Sequence, residues 1–547
     1  MNGAPSTAFI RMLLSEAGPA KGRLVALTAL AGLGTAMIVI IVNSVADRRN
    51  VAVVDYPLLG TFILSCVVVL SAQARALKLT TRASEATVER LRVRVVELIR
   101  RADLDAFEAL GPARVYAQIA GDTATISEAG PPLVYGATSA LALILAALYI
   151  ATLSTLAFVV IVGLFVATTY LFLVSQRRSV EQLADARGAE ARFFATFDHL
   201  LRGFKEVKMS TARGDELERQ YLAALSRETE WRKIEAVDRL NAGLNIAHAS
   251  FYLLLASVVF ALPQYLAGTE TVMKMTYTVI FMLATIDGVM RALPLLTKAN
   301  VALADLARLE TQLAAAGRSA EAPALLPAPT MRRIEMRGAV YSYVDLDGRP
   351  LFTVGPCDLT LEAGETVFIV GGNGSGKSTL LRMLTWLYEP KAGVILWDGQ
   401  IVDRSNVADY RNLFATVFAD FHLFDRLYGF PDVDALEAEA LLQTMGIAGK
   451  TRFREGGFTN LDLSTGQRKR LAFAAALLEA RPVYVLDELA ADQDSEFRRR
   501  FYEELLPGLK ARGKTLVVVT HDERYFHVAD RVLVMEDGRF VEGGRPR

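Results

Sequence analysis

The sequence predicts a polytopic α-helical membrane domain of six transmembrane helices joined to a soluble α/β domain. Three observations predict it. First, 52% of the 547 residues are hydrophobic and the mean hydropathy is +0.29, high for a soluble chain of this size. Second, the apolar excess lies in blocks before about residue 296. Third, beyond residue 331 short β-rich runs alternate with helical patterns, as in a mainly parallel sheet covered by helices. A chain this long also exceeds one compact core.

The six apolar blocks are Leu24–Val42, Val53–Ala74, Leu133–Leu153, Thr155–Ser175, Ile246–Leu266 and Val272–Leu293. Each approaches the ~20 residues that a helix needs to cross the hydrocarbon core. One such block could be a buried helix of a soluble protein; six in order, with short links inside successive pairs, are not explained that way. The connections after the second and fourth blocks are long and charged, as in Ala74–Leu110 and Gln176–Asn241. They predict helices continuing far into water, with turns near Gly111–Pro112 and Gly203. Lys21 and Arg23, Arg75 and Lys78, and Arg177 and Arg178 flank the blocks on one side, which the positive-inside rule makes cytoplasmic. Arg48 and Arg49 fall on the other side. The N-terminus, both long connections and the C-terminal half are thus expected in the cytoplasm. The residues through Arg23 hold no long apolar core, so the first block is expected to be a retained helix rather than a signal peptide.

Helical pattern continues to about Leu313, and Ala314–Pro329 has the Ala/Pro composition of a linker. The expected division is a transmembrane domain over 1–313, a linker over 314–330 and a soluble α/β domain over 331–547. Sixty basic residues balance sixty acidic ones, so no nucleic-acid partner is expected. The two cysteines, Cys66 and Cys357, offer no disulfide framework and no metal cluster.

The soluble half carries the chemistry. The β-rich run Val367–Val370 leads into Gly371-Gly372-Asn373-Gly374-Ser375-Gly376-Lys377-Ser378-Thr379 and then an amphipathic helical pattern. This is G-x-x-x-x-G-K-[ST] in its required strand–loop–helix context. Glycines let successive N–H groups point at phosphate oxygens, and the helix adds its positive end. Lys377 is placed for the β- and γ-phosphates of ATP and Ser378 for Mg²⁺. About 110 residues later the run Val483–Leu486 ends in Asp487 and Glu488. Asp487 is the expected second Mg²⁺ holder and Glu488 the general base for the attacking water.

Between these lies Leu463-Ser464-Thr465-Gly466-Gln467, ahead of an apolar-faced helix. Together these residues make the chain resemble an ABC transporter, whose signature is Leu-Ser-x-Gly-Gln before the second acidic strand. The resemblance implies that Ser464, Gly466 and Gln467 bind the γ-phosphate held by another subunit, since one chain has one loop and one signature. It thus implies a dimer with a second copy or a related half-transporter. It further implies that His521 contacts the γ-phosphate, that Asp494 joins the two subunits, and that Tyr343 stacks on adenine, with Tyr341 its confusable neighbour. The chain departs from the family at Ala419, where glutamine is usual, with Asp420 as the adjacent candidate substitute. Thr465 replaces a glycine and Leu489 a proline. The loop, the signature, both acids and His521 remain, so an active ATPase is expected.

The six-helix plan fused ahead of the nucleotide domain resembles exporter half-transporters over nearly the whole chain. Phe418–Asp425, Leu463–Leu471 and Asp487–Asp494 resemble a bacterial subgroup exporting cyclic peptides and nonribosomal products, such as pyoverdine precursors and syringomycin. The implied location is the bacterial cytoplasmic membrane, with lipid around the helices and a peptide-like small molecule as cargo. The N-terminal segment is too short for a peptidase, so leader cleavage is not expected. Cargo residues are weakly marked. Asn241, Asn245 and His248 share one helix face, and Asp287 and Arg291 stand four apart and could pair. Contact between helices is the alternative reading. A lipid or drug exporter and a membrane-bound ATP-switched sensor are the alternatives for the whole.

Overall fold

The structure, a computed structural model, describes residues 7–46, 55–265, 269–317, 330–345 and 349–541. Residues 318–329 of the expected linker, and Arg48 and Arg49, lie outside the described residues. The chain packs as two units, Met1–Arg94 with Tyr116–Leu309, and Val95–Val115 with Glu310–Arg547.

The helices before the soluble domain are α1 (Ala8–Glu16), α2 (Lys21–Ala46), α3 (Tyr56–Arg101), α4 (Leu104–Leu110), α5 (Pro112–Glu128), α6 (Gly130–Leu153), α7 (Thr155–Arg202), α8 (Phe204–Met209), α9 (Thr211–Glu216), α10 (Ala223–Ala256) and α11 (Thr269–Ala316). Among the described residues, five stretches are long and apolar enough to cross a membrane: Gly18–Val45, Tyr56–Arg101, Pro112–Leu153, Thr211–Gln264 and Glu270–Ala316. Thr155–Leu171 is a shorter apolar helix. At 1.5 Å per residue, the 46 residues of α3 and the 48 of α7 and α11 each span about 70 Å. That is over twice the ~30 Å of a hydrocarbon core, so these helices extend well past it. Their breaks have local causes. Gly111 ends α4 at φ 79°, and Pro112 opens α5 where its missing N–H costs nothing. Inside this unit Leu143, Ile150, Ile161, Phe251, Val258, Val279 and Met282 form one apolar cluster. Asn43, buried among apolar helices, donates its Nδ2 to the Thr278 hydroxyl at 2.8 Å, while its Oδ1 is buried without a partner.

Among the described residues, the second unit holds a four-stranded and a six-stranded sheet beside a two-stranded hairpin. One is antiparallel, ordered β2 (Pro350–Glu362), β1 (Arg333–Val344), β4 (Ala392–Trp397) and β5 (Gln400–Ile401). The other is ordered β12 (Arg539–Val541), β11 (Arg531–Glu536), β3 (Thr366–Val370), β10 (Thr515–Val519), β9 (Val483–Asp487) and β6 (Phe414–Val417). Pairing from β11 to β6 is parallel, and only β12 pairs antiparallel. Both faces of the central strands are buried, hence the nearly unbroken apolar runs read from sequence. Alternate side chains divide two cores: Val367, Ile369, Val485 and Val517 face one, and Phe368, Tyr484, Leu486 and Val518 the other. Helices α12 (Lys377–Leu384), α13 (Val407–Arg411), α14 (Ala435–Thr444), α15 (Thr465–Leu478), α16 (Ser495–Arg500) and α17 (Leu506–Ala511) complete the unit, as does a short hairpin of β7 (Phe453–Arg454) and β8 (Gly457–Phe458). Helix α4 also belongs here, with Leu104 packed on the first core.

Candidate nucleotide-binding site

The loop between β3 and α12 is curled by three glycines with positive φ: Gly371 at 153°, Gly374 at 79° and Gly376 at 100°. A Cβ at Gly371 would stand 2.1 Å from the Met535 carbonyl oxygen, and one at Gly376 2.8 Å from Val354 Cγ2. Sterics and backbone angle therefore both require glycine at these two points. Lys377 Nζ donates to the Gly371 and Gly372 carbonyls at 3.0 and 2.9 Å, so the ammonium spans the loop. Burial pulls its pKa down, against the attraction of Glu488 and Asp487. Asn373 and Gly374 are exposed, while the Ser375 hydroxyl is buried without a partner. Thr379 Oγ1 lies 3.1 Å from the Tyr343 hydroxyl. Tyr343 thus sits beside the loop helix and half-buried, whereas Tyr341 is buried and stacked on Tyr388 with ring centroids 4.5 Å apart.

The two acids arrive at the end of β9. Asp487 Oδ2 accepts the Ser378 hydroxyl at 2.9 Å. Its Oδ1 is buried with no partner. Burial raises the Asp487 pKa, and the nearby Glu488 adds to the rise. A hydroxyl, a carboxylate and an orphaned buried oxygen form a hard-oxygen donor set that fits Mg²⁺. Glu488 follows with φ 51°, a left-handed turn costing about 1–3 kcal/mol that takes it off the strand direction. The turn is held by Glu488 N–H to the Val519 carbonyl at 3.1 Å and by Lys469 Nζ to the Glu488 carbonyl at 2.9 Å. His521, just past β10, brings Nε2 to 3.3 Å from Glu488 Oε1. Parallel pairing of β9 and β10, with Val519 beside Asp487, places these two ends together.

The signature segment forms the start of α15. Ser464 is its N-cap: its hydroxyl accepts the Gln467 N–H at 3.4 Å while the Gln467 side chain accepts the Ser464 N–H at 3.2 Å. Gly466 is packed so closely that a Cβ would lie 2.7 Å from the Asp492 carbonyl oxygen. Gln493 donates to the Gly466 carbonyl at 3.0 Å and accepts Arg470 Nε at 2.8 Å. Asp494 caps α16 through the Phe497 N–H at 2.8 Å and pairs with Arg470. Within the chain these residues form one connected group. Among the described residues, no hydrogen bond joins Ser464 to the phosphate loop.

Sequence reasoning missed Lys469, Gln493 and Arg382. Lys469 is buried, with Nζ also 2.7 Å from Asp492. It lay within a run of three basic residues that reads as a solvated face. At the departure from family pattern, the Asp420 carboxylate is held by Arg382 Nη2 at 2.8 Å, and the Ala419 backbone N–H works to lower the Asp487 pKa against the larger effect of burial. In the helical unit Asp287 is 2.8 Å from His248 Nε2 across α10 and α11, and only 3.5 Å from Arg291 on its own helix. Asn241 and Asn245 are exposed on the same stretch of α10.

The sequence profile described as "ABC transporter" matches residues 354–491. The "ATP-binding protein SyrD" of Pseudomonas syringae pv. syringae is 35% identical over 421 residues, 72% of this chain and 71% of that protein. An "ATP-dependent lipid A-core flippase" of Burkholderia thailandensis is 34% identical over 39% of this chain and 37% of that protein. The flippase of the same description from Escherichia coli K12 is 29% identical over 63% of this chain and 61% of that protein. Among solved structures, a bacterial Atm1-family ABC exporter with ATP bound has the same fold, with a TM-score of 0.77 at 20% identity, over 96% of this chain and 95% of that one.

Proposed function

Because this chain belongs to the ABC transporters, with the helical and nucleotide-binding parts of an exporter in one polypeptide, we propose that it moves a peptide-like molecule outward across the bacterial cytoplasmic membrane. It binds ATP and is an ATPase of the transporter class. The observation that carries the reading is the Lys377, Ser378–Asp487 and Glu488–His521 constellation, in a chain whose other unit is built of apolar helices long enough to span a bilayer.

In this reading residues 1–313 form the transmembrane domain, 314–330 the linker and 331–547 the nucleotide-binding domain. Tyr343 stacks on adenine. The N–H groups of Gly371–Thr379 (Gly371, Asn373, Gly374, Ser375 and Gly376 before the helix) cradle the phosphates, and Lys377 turns from its loop carbonyls to the β- and γ-oxygens. Ser378 and Asp487 hold Mg²⁺, which supplies charge neutralisation of the phosphates when bound. Glu488 takes the proton of the attacking water, and His521 fixes that carboxylate and meets the γ-phosphate. Ser464, Gly466, Gln467 and Asp494 of a second copy, or of a related half-transporter, close the site over each ATP. Closure and reset alternate the cargo path between inward and outward openings.

The cargo class rests on the resemblance of Phe418–Asp425, Leu463–Leu471 and Asp487–Asp494 to peptide and siderophore exporters. Lipid export is the second reading, favoured by the flippase relatives. Reconstitution in proteoliposomes tests both. A cyclic lipopeptide should stimulate ATP hydrolysis and accumulate behind the membrane, while a lipid A-core lipid should do neither. The reverse pattern would replace the first reading with the second. Glu488→Gln should lower hydrolysis at least ~100-fold while ATP binding persists.

A further inference from the structure

His521 stands just beyond β10, and the residues on either side of it share one partner. That partner is Tyr502, which nothing in the sequence pattern marks. Helix α16 passes through a single π turn, Phe501–Leu505, into α17, and Tyr502 lies in that turn. A π turn inside an α-helix is rare and is found frequently at functional sites. The Tyr502 ring is buried, stacked on Tyr525 with centroids 4.5 Å apart and edge-on to Phe368 of β3 at 5.9 Å. Packing alone would accept phenylalanine there, so the hydroxyl has a reason of its own.

That hydroxyl lies 2.5 Å from Thr520 Oγ1 and donates to Asp522 Oδ2 at 3.1 Å. The Thr520 oxygen in turn accepts the Asp522 N–H at 3.0 Å. A phenol has one proton, and here it goes to the carboxylate, so the Thr520 hydroxyl donates to the Tyr502 oxygen. The three bonds close a ring, from Asp522 N–H to Thr520, from Thr520 to Tyr502 and from Tyr502 back to the Asp522 carboxylate. His521 is the residue that the ring spans. Burial pushes the Tyr502 phenol well above its ordinary pKa, so it keeps its proton and goes on donating. Arg498 Nη1, 3.6 Å from Asp522 Oδ1, balances the charge of the carboxylate. We infer that Tyr502 is a positioning residue, whose hydroxyl fixes the backbone on both sides of His521 and so keeps His521 Nε2 at 3.3 Å from Glu488 Oε1. The imidazole projects from the turn beyond β10, and a misplacement of about 1 Å in such a group can cost about 10²-fold in rate. The inference rests on the ATPase reading above, in which Glu488 and His521 act together, and adds the group that holds the two in register.

The test uses the full-length protein in lipid nanodiscs, measuring kcat, KM for ATP and equilibrium ATP binding. Tyr502→Phe keeps the ring stack and removes only the hydroxyl. It should lower kcat about tenfold with KM and ATP affinity within about twofold. Thr520→Val breaks the same ring and should lose about as much, while Thr520→Ser, which keeps a hydroxyl, should stay within about twofold of wild type. Tyr502→Phe combined with Thr520→Val should lose about tenfold rather than the roughly hundredfold of independent sites. On a His521→Ala background, Tyr502→Phe should change kcat by no more than about twofold, because no imidazole is left to place. Wild-type kcat in Tyr502→Phe, or a tenfold loss that persists on top of His521→Ala, overturns the inference, and an impaired His521→Ala then leaves the reading of the site standing. Undiminished turnover in His521→Ala overturns the role given to His521 and the inference with it. If Tyr502→Phe melts far below wild type, the Thr520 pair decides: equal turnover of Thr520→Val and Thr520→Ser overturns the inference.

Discussion

At the scale of single residues, the candidate ATP site combines a buried carboxylate, Asp487, with a left-handed turn at Glu488. Asp487 is buried, its pKa raised by that burial, and one of its oxygens has no partner. A raised carboxylate pKa means that the folded state binds the proton more tightly than the unfolded chain. Its contribution to stability is therefore present at low pH and lost as pH rises through the raised value. Without nucleotide or metal, Asp487→Asn should melt higher than wild type at neutral pH, by about 1 kcal/mol or roughly 3 °C. The gap should close as the pH falls, and hydrolysis should be lost throughout. Thermal scans at several pH values check this, and a gap that widens on acidification would refute it. Glu488 was legible as an acid after a strand, but its φ of 51° was not, because the turn is imposed by Val519 and Lys469 from other elements. His521→Ala should lower turnover by about 10²-fold or more with ATP binding kept, since it removes the group 3.3 Å from the base.

At the scale of elements, close approach decides which positions tolerate change. Gly371→Ala sets a methyl 2.1 Å from a backbone oxygen and needs a φ that alanine avoids. It should abolish ATP binding and cost several kcal/mol, on the order of 2–4, measured by nucleotide binding and denaturation. Gly466→Ala meets backbone 2.7 Å away. The phosphate loop and the signature segment were readable because each is a local pattern of a few residues. The partner of Asp287 was not. The i, i+4 spacing points to Arg291, yet His248 is nearer, since α10 and α11 run side by side there. Spacing within one helix cannot report a neighbour 39 residues away. Replacement of Asp287 by Asn should lower cargo-stimulated hydrolysis several-fold and leave unstimulated hydrolysis within about twofold.

At the scale of the whole molecule, the proposed pairing of Ser464 with the phosphate loop of a second copy makes a specific demand on assembly. Lys377→Ala and Ser464→Arg should each silence a homodimer. A purified heterodimer of one of each retains one site in which an intact Lys377 faces an intact Ser464, and should hydrolyse ATP at up to about half the wild-type rate. Equal silence of all three would show that the two segments do not cooperate across subunits. The rate should also fall on dilution below the dissociation constant of the nucleotide domains, by mass action.

Composition and periodicity by themselves determined that helices long enough for a bilayer precede an α/β domain, because a bilayer and a doubly covered sheet each demand a distinctive run of apolar residues. The sequence likewise marked the loop proposed to bind phosphate, because that chemistry needs glycines, a lysine and a hydroxyl at fixed spacing. Only tertiary structure decided that Lys469 holds the Glu488 carbonyl, that Arg382 holds the Asp420 carboxylate, and that Tyr388 meets Glu108 of α4. Those contacts depend on strand order and helix docking, where residues up to 280 positions apart meet, as Tyr388 and Glu108 do. Distance along a chain holds no record of such meetings until the sheet has chosen its order.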